Sequence, residues 1–194
     1  MYGIANRLAL FKTHVYGQAM TKRLTKSDWL EHGLKKLVKS GVSALKAEPM
    51  AKSMNVSRGS FYWHFKNIDA FHSGVLDLWK YRTTVQTIVA LENTSGATDK
   101  LFLLIQSAFT SDPAQERAVR AWSLHDTNAA QAVALVDDER VQYIEKLLVE
   151  SGVNKTSASA RATFLYWAYL GQLVAANRTI DTIDVSYIEE FIRR

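Results

Sequence analysis

The chain has 194 residues, 47% hydrophobic and 22% charged, a balance that suits a soluble globular protein of one or two domains. Nine glycines and two prolines are too few for an all-β chain with many tight turns. Zero cysteines exclude disulfides, thiolate zinc sites, iron–sulfur clusters and cysteine nucleophiles. The net charge of +5 is unevenly placed. Residues 1–66 hold twelve Lys/Arg against three carboxylates (Asp28, Glu31, Glu48), a net +9, and residues 67–194 hold twelve against sixteen, a net −4. A basic front and an acidic back suggest a polyanion-binding module joined to something with another job.

No stretch approaches the roughly 18 apolar residues needed to span a bilayer. At the N-terminus the longest apolar run, Leu8–Phe11, is too short for the core of a signal peptide, so a cytoplasmic location is expected. Met20 stands just before the first well-patterned segment. Residues 1–19 therefore read as an extension, disordered or upstream of the true start, with an ordered element as the alternative. A third reading is a basic arm along DNA, because residues 1–26 carry five Lys/Arg and no carboxylate.

From Ser27 to Lys39, the apolar positions Trp29, Leu30, Leu34, Leu37 and Val38 predict an amphipathic helix, with Ser27 as N-cap and Ser40-Gly41 as its stop. Lys35, Lys36 and Lys39 fall on or beside its wet face. A short second helix fits Lys46–Met54, with Ala47, Met50, Ala51 and Met54 inward and Pro49 tolerable only in the first turn. Asn55-Val56-Ser57 reads as a tight turn with Asn55 left-handed and Ser57 as the next N-cap. A third helix spans Arg58–Phe65. Asn67 caps a longer fourth helix with the stripe Phe71, Val75, Leu78, Trp79, Arg82, Val85 and Val89.

Beyond Asn93–Gly96 the pattern stays helical. One stripe is Leu101, Leu104, Ile105, Ala108 and Phe109, and Ser111-Asp112-Pro113 starts a short helix to about Leu124. The segment from about Asn128 to Glu150 follows, with Val133, Val136, Val141, Ile144, Leu147 and Leu148 inward. Ser157–Asn177 is apolar on most sides and is expected to be buried all round. A final helix is expected over about Val185–Arg194. No alternating strand segment occurs, so the fold class is all-α.

The second and third helices form a helix-turn-helix candidate inside the +9 region. Phe61 and Phe65 lie four apart and point one way, as core. Arg58, Tyr62 and Trp63 project to other sides, and Gly59 and Ser60 keep the leading end slim. A rod of about 13 Å matches a major groove about 12 Å wide. Arg58 suits a bidentate contact to guanine; Ser57, Ser60, Tyr62 and Lys66 suit phosphates. Trp63 reads either as readout or as packing.

The run Asn55-Val56-Ser57-Arg58-Gly59-Ser60-Phe61-Tyr62-Trp63-His64-Phe65-Lys66-Asn67 resembles the signature of TetR-type transcriptional regulators, and the resemblance extends over about 50 residues, from Leu30 to about Leu78. It departs where Asn55 replaces the usual turn glycine and where Lys46 and Pro49 weaken the start of the second helix. The resemblance implies a DNA-binding domain over residues 20–67 and an effector-binding and dimerisation domain over 68–194. It implies a homodimer that binds a palindromic double-stranded operator and releases it when a small molecule binds. By that resemblance Tyr62 and His64 look like phosphate contacts, Arg58, Gly59 and Trp63 look groove-facing, and Lys66 looks like a phosphate-binding lysine.

In the second domain, Trp122, His125, Tyr166 and Tyr169 are the expected lining of a ligand pocket. The resemblance implies that the dimer contact comes from about Ser157–Asn177 and Val185–Arg194. The apolar surface of Phe164, Leu165, Tyr169, Leu173 and Ala176 independently exceeds what one intramolecular partner covers. Asp137-Asp138-Glu139-Arg140 reads as a solvated helix face rather than a metal site. No catalytic residue, metal ligand or cofactor is expected, since no Gly-rich loop, His-x-x-Glu cluster or Ser/His/Asp set occurs. The competing reading is an all-α small-molecule-binding protein or enzyme without DNA binding.

Overall fold

The computed structural model describes residues 24–175, all-helical apart from turns and caps. The readings of residues 1–19, of a final helix over 185–194 and of Ala176 and Asn177 lie outside the described residues. Helix α1 is Lys26–Ser40. Its N-cap is Thr25 rather than the expected Ser27: Thr25 Oγ1 accepts from the Asp28 amide at 3.2 Å, and Asp28 accepts from the Thr25 amide at 2.7 Å. A capping box satisfies two donors reciprocally, which a Ser27 cap leaves undone. Gly41, at φ 72°, ends the helix as expected. Trp29, Leu34 and Leu37 are buried, whereas Val38 turns outward.

Helix α2 (Ala47–Ser53) places Pro49 in its first turn, where no intrahelical donor is lost. Met50 and Ala51 are buried; Ala47 and Met54 are half-buried. Helix α3 (Arg58–His64) is one residue shorter than expected, because Phe65 is already extended as its C-cap. Asn67 caps helix α4 (Ile68–Lys80), accepting from the Ala70 amide at 2.8 Å.

The fourth helix does not keep its predicted face. A π-helical turn at Tyr81–Val85 separates α4 from α5 (Gln86–Glu92). One extra residue in that turn advances the inward position from Trp79 to Thr84, five residues on, and then to Leu91. Val89, which the uninterrupted 3.6-residue period puts inside, is consequently 61% exposed.

Helices α6 (Ala97–Thr110), α7 (Ala114–Ser123), α8 (Thr127–Glu150) and α9 (Lys155–Ala175) complete the described chain. Packed aromatics hold the front together: Phe61 lies 5.5 Å from Trp29 and 5.3 Å from Phe71, both edge-on. This first core continues through Trp79 into α7 and α8, by way of Val119, Trp122, Val133 and Val136. A second core joins α6, α8 and α9 around Leu101, Leu148, Ala162 and Leu165. The α7 helix packs on both α1 and α4, so the two ends of the molecule share a wall.

At the α1–α4 crossing a Cβ on Gly33 would stand 2.7 Å from Phe71 Cζ and 2.9 Å from Val75 Cγ2. Only glycine lets these helices approach so closely. Helix α9 is not buried all round as expected. Ala158, Ala162, Leu165, Tyr166 and Leu173 face the core, while Phe164, Trp167 and Val174 are 55%, 66% and 84% exposed. Leu165, Tyr169 and Leu173 thus leave the expected set of surplus apolar surface, and Trp167 and Val174 are exposed beside Phe164.

Candidate functional site

The turn between α2 and α3 is built by Asn55 at φ 55°, the single non-glycine residue with positive φ among those described. The Val56 amide reaches back to the Ala51 carbonyl at 3.0 Å and the Asn55 amide to the Lys52 carbonyl at 3.2 Å. This pair of bonds is a Schellman closure, and it sets α3 at a fixed angle on α2. Asparagine thereby does the work usually given to glycine. Ser57 occupies the N-cap position of α3, but its side chain makes no capping bond.

Helix α3 has two distinct flanks. Phe61 and Phe65 are sealed in the core with centroids 5.2 Å apart. On the other side Ser57, Arg58, Gly59, Tyr62, Trp63 and Lys66 are exposed, and Ser60 and His64 are half-buried. Tyr62 is 50% and Trp63 71% exposed, so neither ring belongs to the core. The Arg58 guanidinium lies 5.7 Å from the Tyr62 ring centroid, a stacking that steadies both. Among the described residues a Cβ on Gly59 would meet only Ser57 Oγ, at 3.6 Å, so the core does not demand glycine there.

The second feature is a partly open cavity of about 290 Å³ bounded by the π turn, α5, α6, α7, α8 and α9. Ile88, Leu104, Ile105, Ala108 and Ile144 supply apolar wall, and Tyr143, Tyr166 and Tyr169 supply rings. Its floor is ionic. Glu116 on α7, 3% exposed, accepts from Trp79 Nε1 at 3.2 Å, from Arg120 Nε at 2.8 Å, and from both Arg140 terminal nitrogens at 3.0 and 3.1 Å. Arg140 also donates to Thr84 Oγ1 at 2.9 Å and Thr83 Oγ1 at 3.0 Å, on the π turn. Arg120 forks onto Asp137 at 2.6 and 3.1 Å and reaches the Tyr166 hydroxyl at 2.9 Å. Tyr166 in turn donates to Asp137 at 2.5 Å.

Burial alone would make Arg140 easier to deprotonate, but Glu116 outweighs it and holds the guanidinium charged. Burial pushes the Tyr166 phenol well above its ordinary value, although Arg140 opposes the shift. Tyr169 is pushed up to about 12, first by burial and then by Glu116. Tyr143 also reaches about 12, by burial and by Glu92 beside it. The cavity therefore presents neutral phenols at any ordinary pH.

Among the expected pocket residues, the structure brings Tyr166 and Tyr169 together, with ring centroids 5.9 Å apart on the cavity wall. Trp122 and His125 do not join them. Trp122 is buried in the first core, 5.1 Å edge-on from His72, and His125 is exposed in the loop before α8. The reading of 137–140 as a solvated face also changes. Arg140 belongs to the ionic floor, Asp137 pairs with Arg120 behind it, Glu139 pairs with Lys80 at 2.7 Å, and Asp138 is exposed. Glu116, Arg120, Arg140 and the threonines of the π turn went unseen. One signal was present: Arg82, a cation within an otherwise apolar stripe, lines the cavity. No group of three or more His, Asp or Glu that fits a metal ion exists among the described residues, and no helix there is long and apolar enough to cross a membrane.

No protein-family model and no curated protein matches the sequence. Solved structures do match in fold. A transcriptional regulator from Rhodococcus sp. Rha1 superposes with a TM-score of 0.68 at 16% identity, covering 88% of this chain and 92% of its own. A protein from Saccharomonospora viridis, provisionally assigned as a transcriptional regulator and solved in complex with choline, gives 0.69 at 15% identity over 86% and 92%. A Rhodococcus sp. protein provisionally assigned to the TetR family of transcriptional regulators gives 0.60 at 15% identity over 87% and 94%. This chain shares the fold of those regulators: a helix-turn-helix head at the N-terminus and a helical domain behind it.

Proposed function

We propose that this protein is a cytoplasmic, ligand-responsive regulator of transcription of the TetR type, a homodimeric repressor that binds a palindromic operator. The observation that carries the reading is the division of α3: two phenyl rings sealed inside, and Arg58, Tyr62, Trp63 and Lys66 outside, on the +9 part of the chain. Seven residues at about 1.5 Å each make a rod of about 10 Å, which fits a major groove about 12 Å wide. Arg58 and Trp63 meet base edges, and Ser57, Ser60, Tyr62, His64 and Lys66 take phosphates.

The exposed Phe164, Trp167 and Val174 face of α9 supports pairing with a second copy, since an isologous contact buries the same patch twice. Two readers must then stand about 34–36 Å apart, one turn of DNA. Helix α4 runs from the reader to the cavity floor, where Arg140 grips the π turn and Glu116 grips Trp79. A molecule in the cavity acts only through unequal affinity for two settings of α4, and those settings change the spacing of the readers.

Mobility shifts with duplex DNA from upstream of the protein's own gene test this, with sedimentation of the free protein alongside. A salt-sensitive complex of two protomers per duplex is expected. A protein that stays monomeric and shows no preference over unrelated duplex contradicts the reading.

A further inference from the structure

The cavity's carboxylates are already engaged. Glu116 receives four donors, which fills the lone-pair positions of a carboxylate. Asp112, the other carboxylate on the wall, is exposed to water and accepts from the Ala114 amide at 3.0 Å. The faces of Trp79 and Tyr169 would suit an ammonium group. Arg140 already occupies that place, its guanidinium 5.7 Å from one ring centroid and 5.8 Å from the other. A cation entering this space finds its natural partners taken.

The two arginines of the wall are not equally committed. Arg140 uses its guanidinium on Glu116, Thr83 and Thr84. Arg82 makes a single hydrogen bond, from Nη2 to Glu31 Oε1 on α1, so most of its N–H fork is uncommitted. Glu31 is not part of the cavity wall, and the Arg82 and Glu31 side chains are 34% and 31% exposed, which puts the pair at the cavity's open edge. An ion pair so exposed contributes little to stability, and a planar carboxylate can share its fork or displace Glu31 from it.

The rest of the wall suits the body of such a guest. The five-residue step of the π turn that carries Trp79 to Thr84 also carries Arg82 to Thr87, and both Arg82 and Thr87 line the cavity. The Thr87 hydroxyl can donate to an oxyanion. Beside it Ile88, with Leu104 and Ile105 from α6 and Ile144 from α8, offers aliphatic surface. A guest with its charge at the rim and its apolar body inside avoids most of the cost of burying an ion.

Resting on the reading of this cavity as the effector site, we infer that the effector is a small monocarboxylate with an apolar body, its carboxylate on the Arg82 guanidinium and its body between α5, α6 and α8. The guest competes with Glu31 for one fork, so Arg82 sets the preference for negative charge, and the loosened hold on Glu31 carries the binding event to α1.

Calorimetric titration of the DNA-free protein with phenylbutanoate, phenylbutanol and phenylbutylammonium, matched in size and different in charge, tests the inference. Phenylbutanoate is expected to bind tightest. Arg82→Gln, which removes the guanidinium, should weaken it about tenfold, the worth of a hydrogen bond to a charged group, and leave phenylbutanol within about twofold. Glu31→Gln, which frees the fork and removes a like charge, should strengthen phenylbutanoate about twofold or more. A pair that served structure alone would lose binding in both variants. Ala108→Trp, which fills the cavity from α6, should abolish binding. Circular dichroism checks that the variants fold. Phenylbutanoate that fails to bind, or binds no tighter than the neutral or cationic probe, overturns the inference. So does an unchanged phenylbutanoate affinity in Arg82→Gln, no gain in Glu31→Gln, or indifference to Ala108→Trp. No DNA is present in this experiment, so failure to bind an operator would sink the regulatory reading and leave this result standing.

Discussion

Arg82, on the cavity wall, forms an ion pair with Glu31 on α1 of the helix-turn-helix head. One side chain therefore touches both the cavity and the helix on which α3 packs through Trp29 and Phe61. Each partner is about a third exposed, so the pair contributes less than about 1 kcal/mol to stability. Its proposed worth lies in coupling. Filling the cavity by Ala108→Trp should change affinity for operator DNA, and adding Glu31→Gln should shrink that change. A double-mutant cycle on DNA affinity measures the interaction, and strict additivity would show that the pair transmits nothing.

The α1–α4 crossing depends on Gly33. Gly33→Val forces a branched side chain against the Phe71 ring and Val75, which overpacks the core at a cost of about 1–3 kcal/mol. Helix propensity returns only a few tenths of that. The midpoint of urea unfolding should fall with an unchanged slope. An unchanged midpoint would mean that the crossing relaxes without strain.

Glu116 is the keystone of the ionic floor. Glu116→Gln keeps its shape but leaves Arg140 and Arg120 without their shared buried carboxylate. Breaking such a buried pair typically costs about 3–5 kcal/mol. Thermal unfolding should move down accordingly. Stability within about 1 kcal/mol of the parent would show the network to be dispensable.

His32 reports on the helix-turn-helix head. Its Nε2 lies 2.7 Å from Ser53 Oγ, and because that hydroxyl donates to the Met50 carbonyl at 2.9 Å, the imidazole must be the donor between them. Burial, then Lys36 and Lys35, lower its pKa below the ordinary 6.5. The folded state thus resists protonation more than the unfolded chain does. The contribution to stability is present above pH 6.5 and declines as pH falls through the folded midpoint. NMR titration should place that midpoint below 6.5, and Lys36→Gln should raise it. A midpoint at or above 6.5 contradicts the assigned causes.

The helix-turn-helix head was legible because its signals are local. Asn67 as a cap, Asn55 in a left-handed turn, and two phenylalanines four apart each depend on neighbours within one turn of helix. The cavity was legible only in Tyr166 and Tyr169. Its floor is made by Glu116, Arg140 and Thr84, brought together from α7, α8 and the π turn by tertiary packing. The extra residue that turns Thr84 inward leaves no trace in a 3.6-residue pattern. Trp122 was misread for a related reason: an aromatic residue beside polar neighbours looks the same whether it faces a pocket or, as here, packs on His72.

The account stands or falls on the outward flank of α3. Fluorescence anisotropy of labelled duplex from upstream of the protein's own gene should compare the parent with the combined Arg58→Ala, Tyr62→Ala, Lys66→Ala variant, all three sites being exposed. The variant should keep the parent's helicity and unfolding midpoint, lose at least about a hundredfold in DNA affinity, and show a shallower salt dependence. A folded variant that binds the same duplex as tightly as the parent would contradict the account.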